Sequence, residues 1–191
     1  MPKIGITGGI GSGKSVVSSL LHVMGVPVYI ADDESKRLAN TSPVIRAKLV
    51  NLLGENIYSG GSLNKQLLAS LIFNNRELLQ QVNSIIHPEV NKHFLQWASN
   101  GPSLCAIETA ILFESGFDRA VDVSILVYAP LELRLRHVMS RDGSDRESII
   151  SRINNQMPDD EKKMYAHYII YNDGKQALIP QLAEILRAIN N

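Results

Sequence analysis

Apolar residues fall in short runs separated by longer stretches of helical character, and this alternation predicts a parallel sheet covered by helices on both faces. Five runs read as strands: residues 3–7, 26–30, 103–109, 123–128 and 168–171. The third and fourth are apolar nearly throughout, as strands buried on both faces are. A first helix is expected over 15–24, closed by Gly25 and by Pro27, which cannot continue it. Residues 34–99 read as mostly helical. Ser42-Pro43 opens one helix, 63–73 forms another, and 77–97 forms a long one with a break expected at His87-Pro88. Tyr58-Ser59-Gly60-Gly61-Ser62 reads as a turn between helices. Further helices are expected over 130–140, over 144–155 with Ser144 or Asp145 as N-cap, and over 175–189 after the turn Asn172-Asp173-Gly174. The organisation expected is one α/β domain with a core of 1–33, 100–135 and 163–191, a helical insertion over 34–99 and a lid over 136–162.

Chemistry enters between the first strand and the first helix. Gly8-Gly9-Ile10-Gly11-Ser12-Gly13-Lys14-Ser15 is a complete G-x-x-x-x-G-K-S phosphate-binding loop in its required strand–loop–helix setting. Glycines let the backbone curl so that successive N–H groups converge on phosphate oxygens. Lys14 has the reach for the β- and γ-phosphates, Ser15 is the expected Mg²⁺ ligand, and the helix that starts there adds its positive end. Other polar residues gather where strands end: Asp32 and Asp33, Glu108 and Thr109, Asn172 and Asp173. Ligands of open parallel sheets bind beyond that edge, which favours a catalytic reading.

Composition narrows the partners. Of 191 residues, 45% are hydrophobic and the net charge is zero, so no global field draws nucleic acid or an anionic membrane. Neither is expected as a partner. Cys105 is alone, set in Leu104-Cys105-Ala106-Ile107, so it forms no internal disulfide and is expected to pack. No leader-like segment or membrane-length apolar run is read in the sequence, and a cytoplasmic location is expected. The five histidines show no ligand spacing.

Three classes share such a loop. A GTPase switch needs D-x-x-G and N-K-x-D; the first is absent, and Asn64-Lys65-Gln66-Leu67 lacks the aspartate. A transport ATPase needs a signature that Tyr58-Ser59-Gly60-Gly61-Ser62 only approximates. A small-molecule kinase carries a helical insertion after the second strand and an arginine-bearing lid after the fourth. The chain has both, with Arg134, Arg136, Arg141, Arg146, Arg152, Lys162 and Lys163 in and beside the lid. Planar guanidinium groups pair two phosphate oxygens at once. Another small-molecule or nucleoside monophosphate kinase, and a non-catalytic nucleotide switch, are the alternatives.

The opening Gly5-Ile6-Thr7-Gly8-Gly9-Ile10-Gly11-Ser12-Gly13-Lys14-Ser15 resembles that of the dephospho-coenzyme A kinase family. So do Val26-Pro27-Val28 leading to Ala31-Asp32, Ile85-Ile86-His87-Pro88, Leu112-Phe113-Glu114, Arg141-Asp142, Arg152-Ile153-Asn154-Asn155-Gln156 and Asn172-Asp173-Gly174. The matches run in order through essentially the whole chain. The resemblance implies a three-layer phosphate-loop fold with about five parallel strands. It also implies transfer of phosphate from ATP, with Mg²⁺, to the ribose 3′-hydroxyl of dephospho-coenzyme A. The expected roles follow. Gly9, Gly11, Ser12, Gly13, Lys14, Ser15, Val16 and Asn172 bind ATP, with Asn172 reading adenine or simply turning the chain. Asp32 accepts the hydroxyl proton, Asp33 being the alternative, with Lys14 and Arg141 stabilising the transferred group. His87, Glu114, Asp32 and Arg141 meet the acceptor, and Glu108 or Glu114 assists Mg²⁺. A monomer is expected, a small homo-oligomer being the alternative. The chain departs from the family at three places. Ile30 stands where an aspartate is usual, Ala110 and Glu108 replace a proline and an aspartate, and His137 replaces a lid arginine.

Overall fold

The computed structural model describes residues 2–73, 75–101 and 103–190. In chain order the elements are β1 (Lys3–Thr7), α1 (Lys14–Val23), β2 (Val28–Ile30), α2 (Ala31–Thr41), α3 (Pro43–Leu53), β3 (Tyr58–Ser59) and β4 (Ser62–Leu63). There follow α4 (Lys65–Ile72), α5 (Arg76–Ser99), β5 (Cys105–Glu108), β6 (Val123–Tyr128), α6 (Leu131–Asp142), α7 (Arg146–Asn154), α8 (Asp159–Tyr165), β7 (Tyr168–Tyr171) and α9 (Leu178–Asn190). The chain divides into two compact units, Met1–Ile30 with Ala98–Asn191, and Ala31–Trp97.

The first unit holds a five-stranded sheet in the order β2-β5-β1-β6-β7, parallel throughout. The five expected strands are all present, so the α/β reading holds. One face follows from side-chain alternation. Ile4 and Ile6 of β1 and Ile125 and Val127 of β6 pack with Val17 and Leu21 of α1 and Leu182 and Ile185 of α9. Because the strands are parallel, their carboxyl ends share one edge. Ile6 stands opposite Glu108 on one side and Ile125 on the other, with Thr7 opposite Leu126, and this edge receives the loop after β1.

The second unit corrects three local expectations. Helix α5 runs unbroken through Pro88. A helix-interior proline costs about 3 kcal/mol, but Val82, Ile86, Val90 and Phe94 are all buried at four-residue spacing. Each such burial stabilises by roughly 1.5–3 kcal/mol, so packing on both sides of the proline outweighs the lost hydrogen bond. The 58–62 turn is a small hairpin, with Tyr58 opposite Leu63 and Ser59 opposite Ser62. Gly60 and Gly61, at φ 57 and 84, make the two-residue connection that favours antiparallel pairing. Residues 31–33 are the first turn of α2, not a continuation of the strand end. Ser42 caps α3 as expected, its side chain accepting from the Ile45 N–H. In the first unit α8 went unforeseen, and Asp145 is the cap of α7, accepting from the Ser148 N–H.

Candidate active site

The loop between β1 and α1 is held by side chains remote in sequence. Gly13 closes it at φ 95, outside the range natural to other residues, and passes the chain into α1 through bonds from the Val16 and Val17 N–H groups to its carbonyl. A Cβ at Gly13 would lie 2.3 Å from Asn172 Nδ2, the atom that donates to the Ser12 carbonyl at 2.9 Å. At Gly9 a Cβ would lie 2.1 Å from Arg134 Nη2. That space is needed because the buried Arg134 guanidinium lies against the loop, its Nε donating to the Ile10 carbonyl at 2.9 Å. Its Nη1 pairs with Asp159 Oδ2. The other Asp159 oxygen accepts from the Gly9 N–H at 3.1 Å, and Gln156 Oε1 accepts from the Ile10 N–H at 3.2 Å. One α6 turn beyond Arg134, His137 Nδ1 meets the Gly11 carbonyl at 3.0 Å; a carbonyl only accepts, so Nδ1 carries the proton.

Lys14 folds back over the loop, its Nζ donating to the Gly8 carbonyl at 2.9 Å and the Gly9 carbonyl at 3.4 Å. Ser12 is buried with its hydroxyl unpartnered. Ser15 and Val16 are exposed on the first turn of α1. Among the described residues no three His, Cys, Asp or Glu side chains cluster in a way that could hold a metal ion. Mg²⁺ sites of phosphoryl-transfer enzymes seldom have such a cage, relying on one or two hard oxygens, waters and the substrate phosphates. An exposed Ser15 hydroxyl at the helix start fits that donor set.

The remaining candidates separate. Arg141 lies one turn past His137 on the same side of α6, but its side chain is exposed and makes a two-pronged bond with Asp142, at 2.6 and 3.0 Å. That bond holds the Asp142 carboxyl below its ordinary value. Glu114 accepts from the Met157 N–H at 2.9 Å and pairs at 3.0 Å with the fully buried Lys162, whose Nζ also donates to the Ala110 carbonyl at 2.6 Å. Glu108 ends β5, half-buried. Within the second unit the Asp32 charge acts on the His87 imidazole, opposing the effect of its burial. Asp33 instead pairs with Lys36 at 2.9 Å on the surface, which leaves Asp32 the better candidate base.

Gln156 and Asp159 have no role in the sequence reading, and Arg134 and Lys162, there members of the phosphate-clamping basic cluster, instead hold the Ile10 carbonyl with Asp159 and the Ala110 carbonyl with Glu114. Arg134 was visible only as one of many basic residues. Pro158 followed by Asp159-Asp160-Glu161 and Lys162-Lys163 is a helix-start signal, and it was the available clue to α8.

Burial lowers the His87 pKa below its ordinary value, against the opposing pull of Asp32. The folded state therefore binds this proton less readily than the unfolded chain. Stability is lost as pH falls below about 6.5, the unfolded value. We expect His87→Asn to flatten the pH dependence of the unfolding midpoint below that pH; an unchanged slope would exclude the assignment.

Among the described residues no helix is long and apolar enough to cross a membrane. The family model described as CoaE, dephospho-CoA kinase, matches residues 3–177. A Bacteroides fragilis protein named dephospho-CoA kinase is 55% identical over 186 residues, covering 96% of this chain and 91% of that protein. A crystal structure from Thermus thermophilus superposes with a TM-score of 0.82 at 35% identity, covering 98% of this chain and 95% of that one. Shikimate kinase from Acinetobacter baumannii, at TM-score 0.55 and 17% identity over 99% of this chain and 93% of that one, shares the fold alone.

Proposed function

The chain belongs to the dephospho-CoA kinase family, and from that premise we propose that it transfers the γ-phosphoryl group of ATP to the ribose 3′-hydroxyl of dephospho-CoA, the last step of coenzyme A synthesis. The observation that carries this reading is the complete phosphate loop at the carboxyl edge of a parallel sheet, with Lys14 on its carbonyls.

The transferred group passes through a loose transition state in which positioning and charge stabilisation dominate. The Gly9 and Ile10 N–H groups are engaged by Asp159 and Gln156, so phosphate recognition falls to the backbone from Gly11 onward. Lys14 exchanges its carbonyl partners for the β- and γ-oxygens. Ser15 would hold Mg²⁺, which when bound neutralises charge on the phosphates. Asp32 orients the 3′-hydroxyl; as the new O–P bond forms and the bond to the ADP oxygen breaks, the hydroxyl proton passes to its carboxylate. His87 shares the acceptor side with it. Arg141 serves the transferred group once released from Asp142, and Asn172 fixes the loop next to the adenine site. We read 34–99 as the acceptor insertion and 136–162 as the lid of one catalytic domain. We assign this enzyme to the cytoplasm, acting as a monomer.

Asp32 is the sharpest test of these roles. Asp32→Asn should lower kcat by roughly 10²-fold or more while the KM for ATP holds. Turnover near that of the unaltered enzyme would transfer the base role elsewhere.

A further inference from the structure

One segment spans the interval between two loops of the first unit. At one end Gln156 and Asp159 hold the Ile10 and Gly9 N–H groups, with Arg134 closing the grip from α6. At the other, Glu114 holds the Met157 N–H, and Lys162, with no exposed surface, joins Glu114 to the Ala110 carbonyl. The segment 156–162 is thus anchored to the phosphate loop and to the connection that follows β5. The anchors are not incidental surface pairs: the Arg134 and Asp159 side chains are 7% and 8% exposed, and Lys162 is 0% exposed. Buried charges persist only when paired and hydrogen-bonded, so each is committed to this geometry. The guanidinium can lie there only because residue 9 lacks a Cβ. The arrangement fixes both the N–H and the C=O of the loop's first half, the part that glycine would otherwise leave mobile.

We propose that 156–162 is a strap that presets the phosphate loop for ATP, and that Gln156, Asp159 and Glu114 are positioning residues acting on nucleotide affinity through it. This builds on the kinase reading above, and it gives Glu114 a donor-side task in place of the acceptor contact that the family resemblance implies. A loop held in its binding conformation loses less conformational freedom when nucleotide arrives. Releasing the strap therefore weakens nucleotide binding while the acceptor's own affinity is untouched.

The test compares Gln156→Ala, Asp159→Asn and Glu114→Gln with the unaltered chain by calorimetric titration with ADP and by steady-state KM values for ATP and dephospho-CoA. Gln156→Ala removes a single partly exposed acceptor and keeps the test available if a buried substitution impairs folding. Expected are an ADP Kd and a KM for ATP raised about tenfold in Asp159→Asn, the scale of one charged hydrogen bond. Smaller rises in the same direction are expected in the other two, with the KM for dephospho-CoA unchanged in all three. An unchanged ADP Kd in Gln156→Ala and Asp159→Asn overturns the proposal, as does a Glu114→Gln variant whose dephospho-CoA KM rises while its nucleotide constants hold. The ADP titration needs no turnover, so an unaltered enzyme inactive on dephospho-CoA would count against the kinase reading alone.

Discussion

Lys14→Ala is expected to lose roughly 10³-fold in kcat/KM, the scale on which a single preorganised charge acts in phosphoryl transfer. The reason lies in what the ammonium does at each stage. In the structure it rests on the Gly8 and Gly9 carbonyls, which are neutral acceptors and weak competitors. As the γ-phosphoryl leaves, charge builds on oxygens that a lysine at this position of the loop reaches, and the interaction strengthens in the transition state beyond the ground state. The fold should survive. Both Lys14 bonds are lost, but the Gly9 carbonyl keeps its bond from the Ser12 N–H at 3.1 Å, so the cost is chiefly that of the bond to the Gly8 carbonyl, about 1 kcal/mol. Circular dichroism should therefore match the unaltered chain and the thermal midpoint should fall by only about 2–4 °C, while turnover collapses. Activity within tenfold of the unaltered enzyme would show that Lys14 does not carry the transferred charge.

Lys162→Ala should produce the largest stability loss outside the hydrophobic core. Its side chain has no exposed surface, against 23% for Glu114, and it also satisfies the Ala110 carbonyl. Removing it leaves that carbonyl without its ammonium donor, opens a cavity, and strips Glu114 of its counter-charge. Breaking a buried pair from one side costs roughly 3–5 kcal/mol, and partial access of Glu114 to water sets the expectation near 3 kcal/mol. For a chain of this size that is a fall of about 10 °C in the unfolding midpoint. A double variant, Lys162→Met with Glu114→Leu, should recover part of the loss, since apolar replacement of a buried pair is often close to neutral. A single variant within about 1 kcal/mol of the unaltered chain would mean that the pair contributes little.

The parts legible in the sequence were those whose physics is local. Strands such as 123–128 show as apolar runs because both faces of a parallel strand are covered, and the loop at 8–15 shows because its glycines, lysine and serine must be contiguous to curl around phosphate. Pro88 misled because a local rule met a long-range one: the buried ridge of Val82, Ile86, Val90 and Phe94 is recognisable only once something packs on it. Helix α8, seven residues of DDEKKMY, has almost no apolar periodicity to announce it. The basic cluster over 134–163 offers many side chains, and only the family resemblance singles out Arg141 among them. On α6, Arg134 and His137 meet the loop and Arg141 turns to Asp142, contacts that no spacing in the sequence displays. Asp159 reaches Gly9 across 150 positions, and no spacing rule registers such a pairing.

The central claim is that this loop is the donor half of a phosphoryl-transfer site with dephospho-CoA as acceptor. The direct measurement supplies ATP and Mg²⁺ with dephospho-CoA, and separately with nucleoside monophosphates and shikimate, and follows ADP together with the phosphorylated product. The account predicts one ADP per molecule of 3′-phosphorylated product with dephospho-CoA, and no turnover above ATP hydrolysis with the others. Turnover on a monophosphate or on shikimate with none on dephospho-CoA would contradict it.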